Sequence, residues 1–442
     1  MLNTMNNLLW GPGTLALLLG TGIFLTIRMR FLPWRRLGFA LRSALGKDSR
    51  KAKNHGVSPF SALMTTLAAT IGTGNIVGVA TALVAGGPGA LVWMELSALF
   101  GMATIFAESQ LSVKYRRKNH RGEWAGGPMY VMETAFGRKT GRFFGSIFAF
   151  FAVGASFGIG CMTQANAITG ALSSSFYLPV WPVGMITAAL ALAVILGGIR
   201  NISRITSILV PAMSIFYLAA AILVILGNLE NLIPGVVWIF HCAFSPQAIA
   251  GGAAGAALRW GVARGVFSNE AGLGSTGIAA ASADTSSPVR QGYINMTGAF
   301  FDTIVICTVT GLAICCSGVL GTVDTSGNPV DGAALTILAF ETVLGPLGSR
   351  FISLSIVLFA FSTILGWEYQ GEQAFSYLTK GRGPIIYRFL YALAVLWGAG
   401  QELHTVYLFS DICNALMCMP NLMCVLWMSG EAVRDMRKLN KV

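Results

Sequence analysis

Two short runs place glycines and polar side chains inside stretches that otherwise read as apolar helix. The first, AATIGTGNIVGVA at 68–80, sets Thr73 and Asn75 among Gly72, Gly74 and Gly78. The second, GVARGVFSNEAGLGSTG at 261–277, surrounds Phe267, Ser268, Asn269 and Glu270 with Gly261, Gly265, Gly272, Gly274 and Gly277. A glycine in a helix interior costs about 1 kcal/mol relative to alanine, and a backbone group left unpaired in lipid costs several more. Both runs make sense if the helix breaks there and presents its amides and carbonyls to a ligand. Gly74 and Gly78 also form a GxxxG, the spacing of closely packed helices. A dinucleotide fingerprint fails, because Val77 stands where its third glycine is needed and no strand precedes it.

The elements that must carry these runs are membrane spans. Of 442 residues, 54% are hydrophobic and 11% charged, with a mean hydropathy of +0.66, whereas an average soluble domain is about a quarter charged. About eleven apolar segments have spanning length, near 8–27, 58–85, 89–113, 143–172, 180–198, 204–227, 247–282, 292–320, 349–376, 384–401 and 404–428. The first follows MLNTMNN, which has no basic region, and reads as a retained span. The piece 331–345 is too short to span, carries Glu341, and reads as a re-entrant or surface helix. The expected class is an all-α polytopic membrane protein.

The net charge of +12 does not point to nucleic acid, because its placement follows the positive-inside rule. One set of loops holds Arg28, Arg30, Arg35, Arg36, Arg42, Lys47, Arg50, Lys51 and Lys53, then Lys114 to Arg121, Arg138 and Lys139. Arg200 and Arg204, Arg290, Lys380 and Arg382, and finally Arg434, Arg437, Lys438 and Lys441 continue it. The alternate loops hold Glu230, Asp324, Asp331 and Glu402. This predicts an outside N-terminus and a cytoplasmic C-terminus. The eight cysteines lack CxxC spacing and read as small buried hydrophobes. The histidines (His55, His120, His241, His404) are too scattered for a metal cluster.

After an extra first helix, the first interrupted run lies in the opening span of a set of five, and the second run opens the next set. Five is odd, so the two sets start on opposite sides of the membrane. Interrupted spans at corresponding places in inverted halves are a sequence pointer to a transporter's central site. The chain divides into 1–56 (extra helix and basic loop), 57–228 and 229–428 (two five-helix repeats) and a tail at 429–442.

The stretches GTGNIVGVATALVAGGPGALVWM (72–94), GGPMYVME (126–133) and FSNEAGLGS (267–275) resemble hallmarks of the alanine/glycine:cation symporters. The resemblance covers essentially the whole chain. It implies a LeuT-type five-plus-five inverted-repeat fold with one extra N-terminal helix and two discontinuous helices. It also implies sodium-driven uptake of a small neutral amino acid across a cytoplasmic membrane. Half-helix N-termini then suit the carboxylate of a zwitterion, and freed carbonyls suit its ammonium and Na⁺. By the family pattern the amides near Thr73 and Gly74 receive the carboxylate. An unwound stretch from Phe267 to Asn269 supplies carbonyls, an amide side chain and an apolar wall, with Asn75, Ser268 and Gly272 in the same set.

Two further spans offer suitable faces. Ser156, Gly160, Thr163 and Gln164 recur at helical spacing, and Gln164 is a candidate substrate partner; the same stripe could serve as interhelical glue. Ser355, Phe359, Ser362, Thr363 and Trp367 share another face. The hydroxyls of Ser362 and Thr363 and the Phe359 carbonyl match the LeuT-type sodium site, completed by carbonyls of Ala68 and Ile71, although such hydroxyls often only bond their own helix. Glu108 sits where relatives of this fold place a glutamate that supports the unwound segments. Glu95, Arg259, Arg264, Glu270, Asp302 and Asp411 are further intramembrane charges, and Arg264 with Asp411 could pair as an external gate or as a structural ion pair.

Proton-coupled relatives of the fold can carry a lysine in the fifth repeat helix, and 203–227 has none, which favours Na⁺. A channel would repeat one filter around a pore, and an intramembrane enzyme would need a nucleophile–base pair or a metal triad. The expected partners are a small neutral amino acid, sodium and membrane lipid, with no nucleic acid and no cofactor, and the chain is expected to act as a monomer. Glycine, L-alanine, D-alanine, serine and glutamine share the same anchoring atoms.

Overall fold

The computed structural model describes residues 2–52, 56–119, 122–245, 253–401 and 404–439. Lys53, His55, His120, Arg121, Glu402, Lys441 and the start of the segment expected over 247–282 lie outside them.

The chain begins with α1 (Leu2–Leu9), α2 (Pro12–Arg28), α3 (Leu32–Arg35) and α4 (Leu37–Leu45). Pro12 occupies the first turn of α2, where its missing N–H is no loss. The first interrupted span is α5 (Pro59–Thr70), capped by Ser58 Oγ accepting from Ser61 N, followed after a gap by α6 (Val77–Gly86). Then come α7 (Ala90–Lys114), the short α8 (Pro128–Ala135), and α9 (Arg138–Phe157) running through a π turn, Gly158–Met162, into α10 (Thr163–Phe176). Helices α11 (Val180–Ile195), α12 (Gly198–Gly227) and α13 (Leu232–Phe244) follow.

The chain then enters the other interrupted span as two pieces, α14 (Ala253–Asn269) and α15 (Ser275–Ala281). It continues with α16 (Pro288–Ala299), a π segment Phe300–Cys307, and α17 (Thr308–Cys316). Next are α18 (Gly332–Leu344), α19 (Leu347–Leu378), α20 (Pro384–Gly398) and α21 (His404–Leu439). Among the described residues six helices are long and apolar enough to cross a membrane, joined by shorter apolar ones such as α2, α11 and α20. Exposed Ile208, Ile215, Leu223 and Leu226 on α12, and Ile386, Leu393 and Trp397 on α20, give these helices faces fit for lipid.

One element differs from the sequence expectation. Helix α13 falls in a stretch read as a loop, because its 13 residues are too few to span and include a proline. The piece at 331–345 is a helix, α18, packed against α19, α12 and α6. The C-terminal end of α15, away from the break, is pinned by Arg116, whose guanidinium stacks 4.0 Å from the Trp124 ring and donates to the carbonyls of Ala281, Ala283 and Thr285. Burial lowers that guanidinium to about 10, so it stays charged at neutral pH.

Candidate functional site

The first break follows from Ile71 and Gly72 leaving helical geometry, at φ −75°, ψ 93° and φ −140°, ψ −155°. Thr73–Asn75 then make a single 3₁₀ turn, closed by Gly72 N donating to Asn75 Oδ1 at 2.9 Å. The first amides of such a turn have no helical carbonyl behind them, which leaves Thr73 and Gly74 presenting N–H groups at the break.

The carbonyls at the end of α5 meet α19. Ser362 Oγ is 3.4 Å from both Ala68 O and Ile71 O and 2.8 Å from Phe359 O. Thr363 Oγ1 is 3.5 Å from Ile71 O and 3.0 Å from Phe359 O. Thus the oxygens of Ala68, Ile71, Phe359, Ser362 and Thr363 form one buried cluster, while both hydroxyls also reach the carbonyl of their own helix. Gly72 makes the approach possible: a Cβ there would run into Thr363 Oγ1. Ser355, on the same helix, bonds only its own turn, to Phe351 O at 2.9 Å.

The second break lies further along than the sequence suggested. Phe267, Ser268 and Asn269 are the last turn of α14, closed by Glu270 N donating to Val266 O at 2.8 Å. The unwound residues are Glu270–Gly274, where Glu270, Gly272 and Gly274 all adopt positive φ (57°, 95° and 82°). The expectation of an unwound Phe267–Asn269 is corrected accordingly: left-handed backbone is needed where the glycines stand, three residues on. Glu270, without that freedom, sits in a conformation costing about 1–3 kcal/mol, and Ser275 Oγ donates to its carboxylate at 2.5 Å.

Glu108, buried on α7, accepts from Asn421 Nδ2 at 2.5 Å and from Thr276 Oγ1 at 3.3 Å. The same Asn421 nitrogen reaches Gly272 O at 2.9 Å. Glu108 therefore touches the start of α15 directly and the unwound backbone through Asn421.

Between the breaks lies a cavity of about 20 Å³, room for little more than a water molecule. Thr73, Gly74, Gln164, Phe267 and Trp367 line it, together with Glu270 and Asn414. Gln164 Oε1 accepts from Thr73 Oγ1 at 3.3 Å, and its Nε2 donates to Ile159 O, inside the π turn, at 3.0 Å. Trp367 lies over Gly160, where a side chain would collide with the indole.

Asn75, Ser268, Asn269 and Gly272 do not line this cavity. Asn75 Nδ2 reaches Asp302 Oδ1 at 2.8 Å and Ser268 Oγ at 3.0 Å, and Ser268 Oγ donates to Asp302 Oδ2 at 2.8 Å. Asn269 Nδ2 donates to Thr303 Oγ1 at 3.2 Å, and its Oδ1 accepts from Ala271 N at 3.0 Å. Gly272 faces Leu18 and Leu422. These four hold the broken helices to their neighbours.

Arg264 stacks over Trp260 and Phe267, 5.5 and 5.4 Å from their ring centres. It shares with Asp411 a second cavity of about 130 Å³, also bounded by Phe267, but no ion pair within 4.0 Å joins the two. Sequence reading missed the pair formed by Arg388 of α20 and Glu372 of α19, with Nε–Oε2 at 2.6 Å and Nη2–Oε1 at 2.9 Å, both side chains buried. Its signal was present as opposite charges inside two expected spans.

Two broken helices meeting face to face, with paired hydroxyls of a third helix against one break, define a multi-pass helical transporter of the LeuT type. The fold is similar to that of MhsT in complex with L-phenylalanine, at a TM-score of 0.53 and 16% identity, covering 87% of this chain and 93% of that one. The chain belongs to the sodium:alanine symporter family, whose sequence model matches residues 1–442. It is 45% identical to the sodium/alanine symporter AgcS of Methanococcus maripaludis, across 100% of this chain and 97% of that protein. It is 37% identical to the probable sodium/glutamine symporter GlnT of Bacillus subtilis, across 99% and 90% respectively.

Proposed function

We propose that this chain carries a small neutral amino acid, alanine or glycine first, into the cell together with Na⁺. The observation that carries this reading is the cluster of five oxygens between the end of α5 and α19, beside a cavity bounded by the ends of both broken helices. Na⁺ needs several oxygens and no formal counter-charge. The Ala68 and Ile71 carbonyls at the first break, the Phe359 carbonyl of α19 and two hydroxyls supply them. The amino-acid carboxylate takes the N–H groups of Thr73 and Gly74, with Gln164 beside them. The ammonium faces the unwound Glu270–Gly274 stretch, where Glu270 offers a carboxylate. Phe267 and Trp367 wall the side chain. The names of AgcS and GlnT support the range from alanine to glutamine.

In this reading 57–228 and 229–428 are inverted repeats that alternate access around the site, Glu108 steadies the second break, and the protein works as a monomer. It sits in the cytoplasmic membrane with its N-terminus outside and its C-terminus inside. A proton-driven carrier of the same fold is the competing reading. Uptake by proteoliposomes, with a panel of labelled amino acids and separately imposed gradients, decides between them. Uptake is expected only with a sodium gradient; full uptake in sodium-free, proton-driven vesicles overturns the choice of ion.

A further inference from the structure

Away from the transport site, two adjoining grooves open where the end of α2 and α3 meet the last turns of α21. The larger, about 740 Å³, is lined by Arg30, Arg35, Arg36 and Arg437 over a floor of Met29, Leu32 and Met436. The smaller, about 360 Å³, is lined by Arg28, Arg434, Arg437 and Lys438 beside Gly430 and Val433. Arg437 belongs to both. Seven cationic side chains therefore border the two grooves, and no Asp or Glu does.

A generic excess of positive charge on one side of the membrane does not produce this sorting. The last turns of α21 also carry Glu431 and Asp435, but those acids face the other way. Lys114 pairs with both, at 2.5 Å to Asp435, and Tyr115 donates to Glu431. Among the described residues, no carboxylate lies within 4.0 Å of any of the seven. Arg28 is held in place, donating to Ser429 Oγ at 2.5 Å and stacking 5.4 Å from the Phe24 ring. Concentrated like charges repel unless an anion neutralises them.

The surroundings say which anion. On α2, Phe24 and Ile27 stand exposed next to Arg28; on α21, Trp427 and Met423 stand exposed about two and three turns before Arg434. The grooves thus continue into apolar helix surface that suits acyl chains, with Trp34 and Phe31 exposed beside them as interfacial aromatics do. A free phosphate would use the cations and leave that apolar surface unused. Two grooves joined by one shared arginine match two phosphates on one short linker. We propose that this surface binds the headgroup of an anionic phospholipid carrying two phosphodiesters, of the cardiolipin class, from the adjacent leaflet. Basic clusters between spans are a recognised means of holding such headgroups.

The test uses full-length protein purified in detergent and stripped of lipid. Cardiolipin, phosphatidylglycerol and inorganic phosphate are titrated separately, with bound lipid counted by native mass spectrometry and thermal unfolding followed in parallel. Cardiolipin is expected to bind at one molecule per chain and to raise the unfolding temperature more than phosphatidylglycerol, with no effect of phosphate. The variant Arg35→Gln/Arg36→Gln/Arg437→Gln should bind cardiolipin roughly hundredfold more weakly, from about one surface-charge contribution per arginine. If that variant does not accumulate, Arg437→Gln alone should weaken binding about fivefold. The charge-matched control Arg138→Gln/Lys139→Gln/Arg200→Gln should bind as the wild type does. Undiminished binding by the groove variants, equal loss in the control, or the same stabilisation from phosphate alone overturns the proposal.

Discussion

Asn75 and Asp302 lie 2.8 Å apart, amide to carboxylate, tying the turn after the first break to the π segment Phe300–Cys307 in the other half of the chain. Ser268 and Thr303 donate to the same carboxylate at 2.8 and 2.7 Å. Asp302→Leu leaves these buried donors without an acceptor, at about 1–3 kcal/mol each. The expected result is loss of folded protein from the membrane, measured by fluorescence-detected gel filtration. Asp302→Asn keeps an acceptor oxygen and should accumulate better. Wild-type abundance of Asp302→Leu would show that the network does not hold the halves together.

Thr363→Val removes one of five clustered oxygens while keeping the shape of the side chain. Losing about 1.4 kcal/mol of ion binding raises half-saturating sodium about tenfold. Through linkage, amino-acid affinity falls at fixed sodium and recovers at saturating sodium. Gly72→Ala should give the same signature with every oxygen retained, because its methyl group displaces Thr363. An unchanged sodium curve for Thr363→Val would reduce that hydroxyl to its bond with Phe359.

Gly74 separates steric from conformational demands. A Cβ there would sit 3.7 Å from Phe267 and 3.9 Å from Ser268, which is ordinary contact. Gly74→Ala should therefore keep measurable uptake. Gly74→Leu should abolish uptake at normal membrane abundance, because the longer side chain must enter the cavity. Normal substrate affinity in Gly74→Leu would remove this part of the site.

The Arg388–Glu372 pair is buried and bidentate, and Arg388 also donates to Leu196 O at 3.0 Å. Removing one partner strands the other charge, at about 3–5 kcal/mol. Arg388→Met and Glu372→Leu should each lower the unfolding temperature sharply, and the double substitution should recover much of the loss. Additive losses in the double variant would show that the two charges are not coupled.

The broken spans were legible because glycine and polar residues in an apolar run have few other uses, and the positions of both interruptions follow from that. Their detail was less so. The second break begins after Asn269 because left-handed backbone tracks Gly272 and Gly274, whereas the family pattern implied unwinding at Phe267–Asn269. The π turn at Gly158–Met162 adds a residue to its turn, so helical spacing carried from Ser156 to Gln164 misjudges their faces. Ser156 meets Tyr387 at 2.7 Å, while Gln164 meets Thr73. Glu372 and Arg388 went unread because each is a single charge in its own span, and their pairing depends on which helices touch.

Phe267 is the common wall of the cavity beside Arg264 and Asp411 and the one between the breaks. A partition one aromatic ring thick is cheap to move. Swinging it costs a rotamer change and its contact with Arg264, together about 1–3 kcal/mol, which thermal motion crosses far faster than packed helices slide past one another. A solute in the cavity beside Arg264 is thus screened from the one between the breaks by a light shutter, and any lasting separation of the two rests on the helix packing around them.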